Sequence, residues 1–362
     1  MSRRTVLFTP GPLTTDPRTR AAMSVDWGSR DAHFIALTAE LRHRLLSLAG
    51  GDGTHVAIPL QGSGTFVVEA AISTLVPPAG KLLVLVNGAY GERMVAIARR
   101  AGIAVEALRW PEHQTVDPAA VARALDNDSA ISHVALVHCE TTTGLLNPLG
   151  PVAEAVARRG RAFLVDAMSS FGAIEIDLST TPIAAVFASS NKCLEGVPGL
   201  GFAIVEKRAI EQSEGVCRSL SLDLHAQWRG FESNGQWRFT PPVQVVAALV
   251  TALRLLEEEG GPTARLARYT ENFRALADGM RRLGFRLYLD EAVQAPIIAT
   301  FLPRQKDSFD FESFYDALAE RGLVIYPGKL TQAETFRIGC IGAIGVSDIG
   351  RLLDAVAEIA GA

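Results

Sequence analysis

An α/β fold with a mainly parallel sheet, followed by a smaller α+β domain, is what this sequence predicts. Three observations predict it. Through residues 1–261, short runs that are apolar at almost every position alternate with amphipathic helical stretches. Strands covered by helices on both faces lose the polar–apolar alternation of half-exposed strands, and strand–helix alternation implies parallel pairing through crossovers. From Pro262 onward the pattern changes to a long helix, then short strands mixed with two further helices. Finally, the 362-residue chain is 48% hydrophobic and 20% charged, enough apolar material to build cores without disulfides or metals.

The predicted strands of the first domain are Leu82–Val86, Ala104–Leu108, Val134–His138, Ala162–Val165, Ala184–Ala188 and Gly201–Val205. Helices are expected between them, for example over Gly91–Ala101 and Leu149–Arg159, with an apolar helix from Val243 to Leu256 closing the domain. The second domain, 262–362, opens on a helix to about Leu283 that sets Leu266, Tyr269, Phe273, Leu276 and Met280 on one face. Helical continuity across Pro262 implies that the domains are packed rather than tethered. Strands then follow at Phe285–Leu289 and Ile297–Leu302, a helix at Phe311–Arg321, and strands at Val324–Tyr326 and Thr335–Ile338. A last helix carries Ile349, Leu352, Leu353 and Val356 on one stripe.

Bulk properties exclude several function classes. The net charge is −4, with both signs interspersed and no basic stripe, so a nucleic-acid partner is not expected. Four cysteines (Cys139, Cys193, Cys217, Cys340) stand far apart with no C-x-x-C pair, which argues against a disulfide framework or a zinc site. The basic N-terminus has only a three-residue apolar stretch, too short for a signal peptide, and Val243–Leu256 is too short to span a bilayer. A cytoplasmic protein with no membrane and no metal is expected.

Two residues anchor the chemistry. Lys192 lies just past an apolar strand in Val186-Phe-Ala-Ser-Ser-Asn-Lys192, beside Ser189, Ser190 and Asn191. Parallel strands end where α/β proteins bind ligands, and an amine there can form a reversible C=N bond with an aldehyde and then shuttle a proton. Asp166 ends the apolar run Ala162-Phe-Leu-Val-Asp166, where a carboxylate needs a compensating partner; a protonated pyridine nitrogen is one. One strand–helix–strand return separates the two and brings them to one sheet edge. Gln61-Gly-Ser63-Gly64-Thr65 precedes a helical run, and such a start exposes N–H groups to a phosphate, although simple capping explains the same pattern. Tyr90 enters a helix where its ring can stack on a pyridine or cover the sheet edge. Arg337, flanked by apolar residues and glycines, suits a bidentate grip on a carboxylate or phosphonate, or a structural ion pair.

These pieces, in this order, resemble the class V aminotransferases of pyridoxal-phosphate fold type I over nearly the whole chain. The resemblance rests on Phe8-Thr-Pro-Gly-Pro-Leu-Thr-Thr15, Asp26-Trp-Gly-Ser-Arg-Asp31, His138-Cys-Glu-Thr-Thr-Thr-Gly-Leu-Leu-Asn-Pro148, Ser189-Ser-Asn-Lys-Cys-Leu-Glu-Gly-Val-Pro-Gly199 and Arg238-Phe-Thr-Pro-Pro-Val-Gln244. It implies a seven-stranded sheet and pyridoxal 5'-phosphate bound through Lys192, with Asp166 on the ring nitrogen. By the same resemblance Ser63, Gly64 and Thr65 hold the phosphate, Tyr90 stacks on the ring, Thr141 meets its 3-oxygen, and Asn191 adjoins the lysine. Thr240 reaches the phosphate of a neighbouring subunit in a homodimer with shared sites, whose surfaces include Val243–Leu256 and the N-terminal segment. Arg337 holds the substrate anion, and Gly11 lines the same pocket. The implied reaction moves an amino group from 2-aminoethylphosphonate to pyruvate in phosphonate breakdown, giving phosphonoacetaldehyde and L-alanine. Transamination of alanine or serine with glyoxylate uses the same cofactor residues and stays open. A lyase of the cysteine desulfurase kind is disfavoured, because it needs a reactive cysteine on a mobile loop.

Overall fold

The computed structural model describes residues 5–304, 309–328 and 333–361; the basic residues Arg3 and Arg4 lie outside them. Seven strands form the large sheet: β1 (His55–Gln61), β2 (Lys81–Val86), β3 (Ala104–Arg109), β4 (Ile131–Val137), β5 (Ala162–Asp166), β6 (Ala185–Ser189) and β7 (Leu200–Glu206). Their order across the sheet is β1-β7-β6-β5-β4-β2-β3. β7 is antiparallel to both neighbours and the other pairs are parallel. Six of the seven match the expected strands to within a few residues. β1 was not anticipated: His55 and Gln61 at its ends and Pro59 within it weaken the strand pattern. An edge position removes the objection to proline, since one side of the strand needs no donor. β3, at the other edge, departs from the expected full burial, with Ala104, Glu106 and Arg109 exposed.

The second sheet is antiparallel and joins β8 (Arg286–Leu287), β9 (Ile298–Leu302), β10 (Tyr326–Pro327) and β11 (Phe336–Gly339) in the order β8-β9-β11-β10. The strand expected at Val324–Tyr326 is split. Leu323–Val324 pairs in parallel with Val6–Leu7, and Tyr326–Pro327 joins β11. Val6 and Phe8 therefore pack in the core of the C-terminal body with Phe285, Phe301 and Phe336. The sequence assigned this N-terminal segment to the first domain.

Helical continuity across Pro262 is not found. The helix Val243–Glu259 ends at Gly260, which is left-handed (φ 108°), and a second helix, Gly261–Arg282, starts with Pro262 in its first turn. Proline is favoured at a helix start because its missing N–H has no intrahelical partner there. On the second helix Tyr269, Phe273, Leu276 and Met280 are buried as expected, whereas Leu266 is only half-buried. The helix Val243–Glu259 spends its apolar stripe, from Val246 through Leu256, inside its own chain. Among the described residues no helix is long and apolar enough to cross a membrane, and no cluster of His, Cys, Asp and Glu could hold a metal ion.

Candidate active site

Strands β1, β2, β4, β5 and β6 all end at one edge of the large sheet, and the segments that follow them enclose a cavity of about 180 Å³. Ser63, Gly64 and Thr65 come from the turn after β1, and Tyr90 and Arg93 from the helix Ala89–Arg100 after β2. Thr141 follows β4. Asp166 ends β5, with Met168 just beyond, and Ser189, Asn191 and Lys192 come from the end of β6. Eight of the residues expected from the sequence thus meet in one place. A larger cleft of about 960 Å³ opens at the other edge among His55, His133, Arg161 and Lys207, but none of the expected site residues lines it. Parallel sheets bind ligands at the carboxyl ends of their strands, so the smaller cavity is the candidate site.

Lys192 sits in a tight turn closed by the Gly196 N–H to the Ser190 carbonyl (2.8 Å) and the Glu195 N–H to the Lys192 carbonyl (2.8 Å). Its side chain is half-buried by surface area, the accessible part being that of a cavity-lining group. Burial holds its amine down at about 8, against the opposing pull of Cys193 and Asp166, with Arg337 adding to the lowering. A usable fraction is therefore neutral, and nucleophilic, near physiological pH. Gly11 (φ 115°) packs against this side chain: a Cβ there would lie 2.6 Å from Lys192 Cδ, so only glycine fits.

Asp166 is 4% exposed and accepts from the Met168 N–H (2.9 Å). Burial raises its carboxyl to about 6, with the Met168 N–H opposing and Glu140 adding. A carboxylate in that state favours a cationic partner, as a pyridinium nitrogen would be. In the same cavity Ser63 occupies the cap position of the helix Gly64–Leu75, yet its hydroxyl makes no capping bond. Simple capping therefore does not explain this turn. The first N–H groups of a helix have no intrahelical partner and carry its positive end. Gly64 lets the Met168 side chain pack close to this turn: a Cβ there would fall 2.6 Å from the Met168 sulfur.

Arg337, on β11, is 5% exposed. Its Nη1 donates to the Thr141 carbonyl (2.9 Å) and its Nε to the Pro327 carbonyl (3.0 Å). Among the described residues no carboxylate pairs with it, so the structural ion-pair reading fails. Thr141, whose hydroxyl lies 2.5 Å from Ser169 Oγ, links it to the cavity wall. Thr240 is not brought to the cavity: it is exposed on the loop before Val243–Glu259, beside the exposed Phe239.

Sequence reasoning missed Arg93 and Glu140. Arg93 lies three residues after Tyr90 on one helix face, donates to Thr65 Oγ1 (3.1 Å) and places its guanidinium 4.7 Å from the Tyr90 ring centre. That i, i+3 spacing was the available signal. Glu140 is fully buried and accepts from the N–H groups of Thr142 (3.0 Å) and Tyr90 (3.3 Å), with burial pushing its carboxyl up. A Cβ on Gly88 would overlap it at 2.3 Å, and no local pattern reveals such a long-range fit.

The family model for aminotransferase class-V matches residues 22–338. The chain belongs to the class V aminotransferases. As a class V aminotransferase it is 54% identical over 358 residues to the 2-aminoethylphosphonate–pyruvate transaminase 2 of Burkholderia lata, covering 99% of this chain and 95% of that one. It is 52% identical over 356 residues to the 2-aminoethylphosphonate–pyruvate transaminase of Pseudomonas aeruginosa, covering 98% and 96%. Among solved structures, the alanine–glyoxylate aminotransferase of Nostoc sp. superposes with a TM-score of 0.91 at 27% identity, over 99% of this chain and 96% of that one. The fold of this aminotransferase is accordingly fold type I, as the sequence predicted.

Proposed function

We propose that this chain moves the amino group of 2-aminoethylphosphonate to pyruvate, using pyridoxal phosphate, to give phosphonoacetaldehyde and L-alanine. Identity of about half over the full chain to relatives of that name is the observation that carries the substrate. The donor set supports the cofactor: open amides, two hydroxyls and a guanidinium suit a phosphate, and a buried carboxylate with a cavity-lining amine of lowered basicity suit a pyridine aldehyde. When bound, pyridoxal phosphate supplies the aldehyde and a protonated ring that draws electron density from the substrate carbon.

The protein's own groups have these roles. Ser63, Gly64, Thr65 and Arg93 would hold the phosphate. Asp166 would hold a proton on the ring nitrogen, Tyr90 and Thr141 would contact the ring and its 3-oxygen, and Asn191 lines the wall next to the lysine. Lys192 Nζ would hold the cofactor's aldehyde covalently and, when free, would take the proton from the amine-bearing carbon. Arg337 grips the phosphonate in one half-reaction and the pyruvate carboxylate in the other, since each anion presents two oxygens to its fork. We place Thr240 at the phosphate of a partner subunit, in a cytoplasmic homodimer of two domains divided near Gly260–Gly261. The exposed Phe66, next to Thr65, and Phe239, next to Thr240, support a covered face at this site.

The rival pairing, alanine or serine with glyoxylate, shares the cofactor residues. Assaying both donor–acceptor pairs with purified enzyme decides: turnover of aminoethylphosphonate with pyruvate at least about a hundredfold above serine with glyoxylate is expected, and the reverse order overturns the reading. A cysteine-based lyase is disfavoured because the half-exposed Cys217 does not line the cavity and the other three cysteines are buried. Cys139, Cys193 and Cys340 are all buried with their thiols pushed up, Cys193 to about 12, so none offers a thiolate.

A further inference from the structure

Glu195, three residues after Lys192, has φ 58° and is the one non-glycine with a left-handed backbone among the described residues. Glycine adopts that conformation at no steric cost, whereas a side chain there is strained. The position nonetheless carries a carboxylate, and that carboxylate is buried and engaged. Tyr269 OH donates to Glu195 Oε1 (2.6 Å) and Arg268 Nη2 donates to the same oxygen (2.8 Å). Arg265, 2% exposed, stands beside them, with Nε 3.9 Å from Glu195 Oε1, and its Nη1 donates to the Cys193 carbonyl (2.8 Å). Both arginines also grip Glu259, at 2.6 and 2.8 Å, next to the helix break at Gly260–Gly261. Arg268 reaches further, to the carbonyls of Gly342 and Ile344 in the C-terminal body, just past the strand that bears Arg337.

We propose that Glu195 is a positioning residue for the amino-transfer reaction. Its carboxylate ties the Lys192 turn to the helix Gly261–Arg282, and through Arg268 to the body that carries Arg337, so that the amine and the anion-binding arginine keep one relative placement. The main chain transmits the constraint, because the Glu195 N–H closes the turn on the Lys192 carbonyl. The groups facing Glu195 are Arg265, Arg268 and Tyr269, with Glu259 behind them and Cys193 and Lys192 on its own turn. Two acids and two arginines balance in charge.

The inference rests on Lys192 being the cofactor lysine. Mass spectrometry of borohydride-reduced holoenzyme tests that assignment separately: label on any other lysine defeats the assignment, while label on Lys192 leaves only the role of Glu195 in question. Glu195→Gly is the informative variant because it relieves the backbone and deletes the carboxylate together. In the holoenzyme it should lower kcat about tenfold or more while KM for the amine donor stays within about twofold, as misplacement of a reacting group does. The pH midpoint of the bound cofactor's visible band should move by about half a unit or more. Glu195→Gln, which keeps an acceptor for Tyr269, should recover most of both. Unchanged kcat and midpoint in Glu195→Gly, or a lower Tm alone, would overturn the proposal by showing a merely structural side chain. Should Glu195→Gly fail to fold, Tyr269→Phe removes one donor to the same oxygen. A roughly threefold loss of kcat with a shifted midpoint supports the tie, and an unshifted midpoint refutes it.

Discussion

Two buried arginine regions flank the lysine turn and use their charge in opposite ways. Behind the turn, Arg265 meets carboxylates: its Nη2 lies 2.6 Å from Glu259 and Arg268 binds Glu195 beside it. On β11, Arg337 is buried almost as deeply but donates only to the neutral carbonyls of Thr141 and Pro327. Burial lowers the Arg337 guanidinium, whereas Arg265 is raised despite burial because Glu195, Glu259 and Tyr269 surround it. A cation closed off by its own protein's acids holds structure. One whose hydrogen bonds go only to carbonyls has no carboxylate bonded to it, which suits it to the anion-holding role proposed above.

The comparison can be broken in order of effect. Lys192→Ala, the group between the two regions, should lower kcat by at least about 10³, measured as alanine formed; residual turnover within tenfold of wild type would remove the lysine from the chemistry. Arg337→Ala should cut kcat/KM for both the phosphonate donor and pyruvate by about a hundredfold, the worth of a charged bidentate contact. A loss confined to one substrate would mean that the other anion binds elsewhere. The stability ranking runs the other way. Arg265→Met should cost about 2 kcal/mol in urea melts of the cofactor-free protein, by removing one of the two arginines on half-buried Glu259 and the donor to the Cys193 carbonyl, while Arg337→Met should change stability by no more than about 1 kcal/mol. Equal losses would erase the distinction.

A smaller effect sharpens the Asp166 end. Its folded carboxyl is raised to about 6 from 3.8, so the folded state binds the extra proton between these values. Stability of the cofactor-free protein should therefore fall as pH rises from about 4 to about 6, by on the order of 3 kcal/mol, and Asp166→Asn should flatten that slope. Lys192 works in the opposite sense and higher up: its lowered value of about 8 means stability gained as pH rises from about 8 towards the unfolded value. Urea melts at a series of pH values read both.

Much of the site was legible because strand ends are legible. The apolar runs of β5 and β6 place Asp166 and Lys192 at one edge, and the helix starts after β1 and β2 place Ser63–Thr65 and Tyr90 beside them. β1 itself was not read, since an edge strand with polar ends and a proline has no apolar signature. Arg93 stood one helical turn from a residue already chosen and could have been found. Glu140 and Glu195 could not, because Tyr90, which meets Glu140, and Arg268 and Tyr269, which meet Glu195, lie 50 or more residues away in sequence.

Periodicity and residue type alone determined the alternating α/β core, the smaller second body, and which amine and which carboxylate share an edge, because burial of strands and helices is a local pattern. The tertiary structure decided the rest. It joined Val6–Leu7 to the C-terminal body, broke the helix at Gly260, and allotted acids to Arg265 but only carbonyls to Arg337. Electrostatic partnership depends on distances between segments remote in sequence, and those are set only when the cores pack.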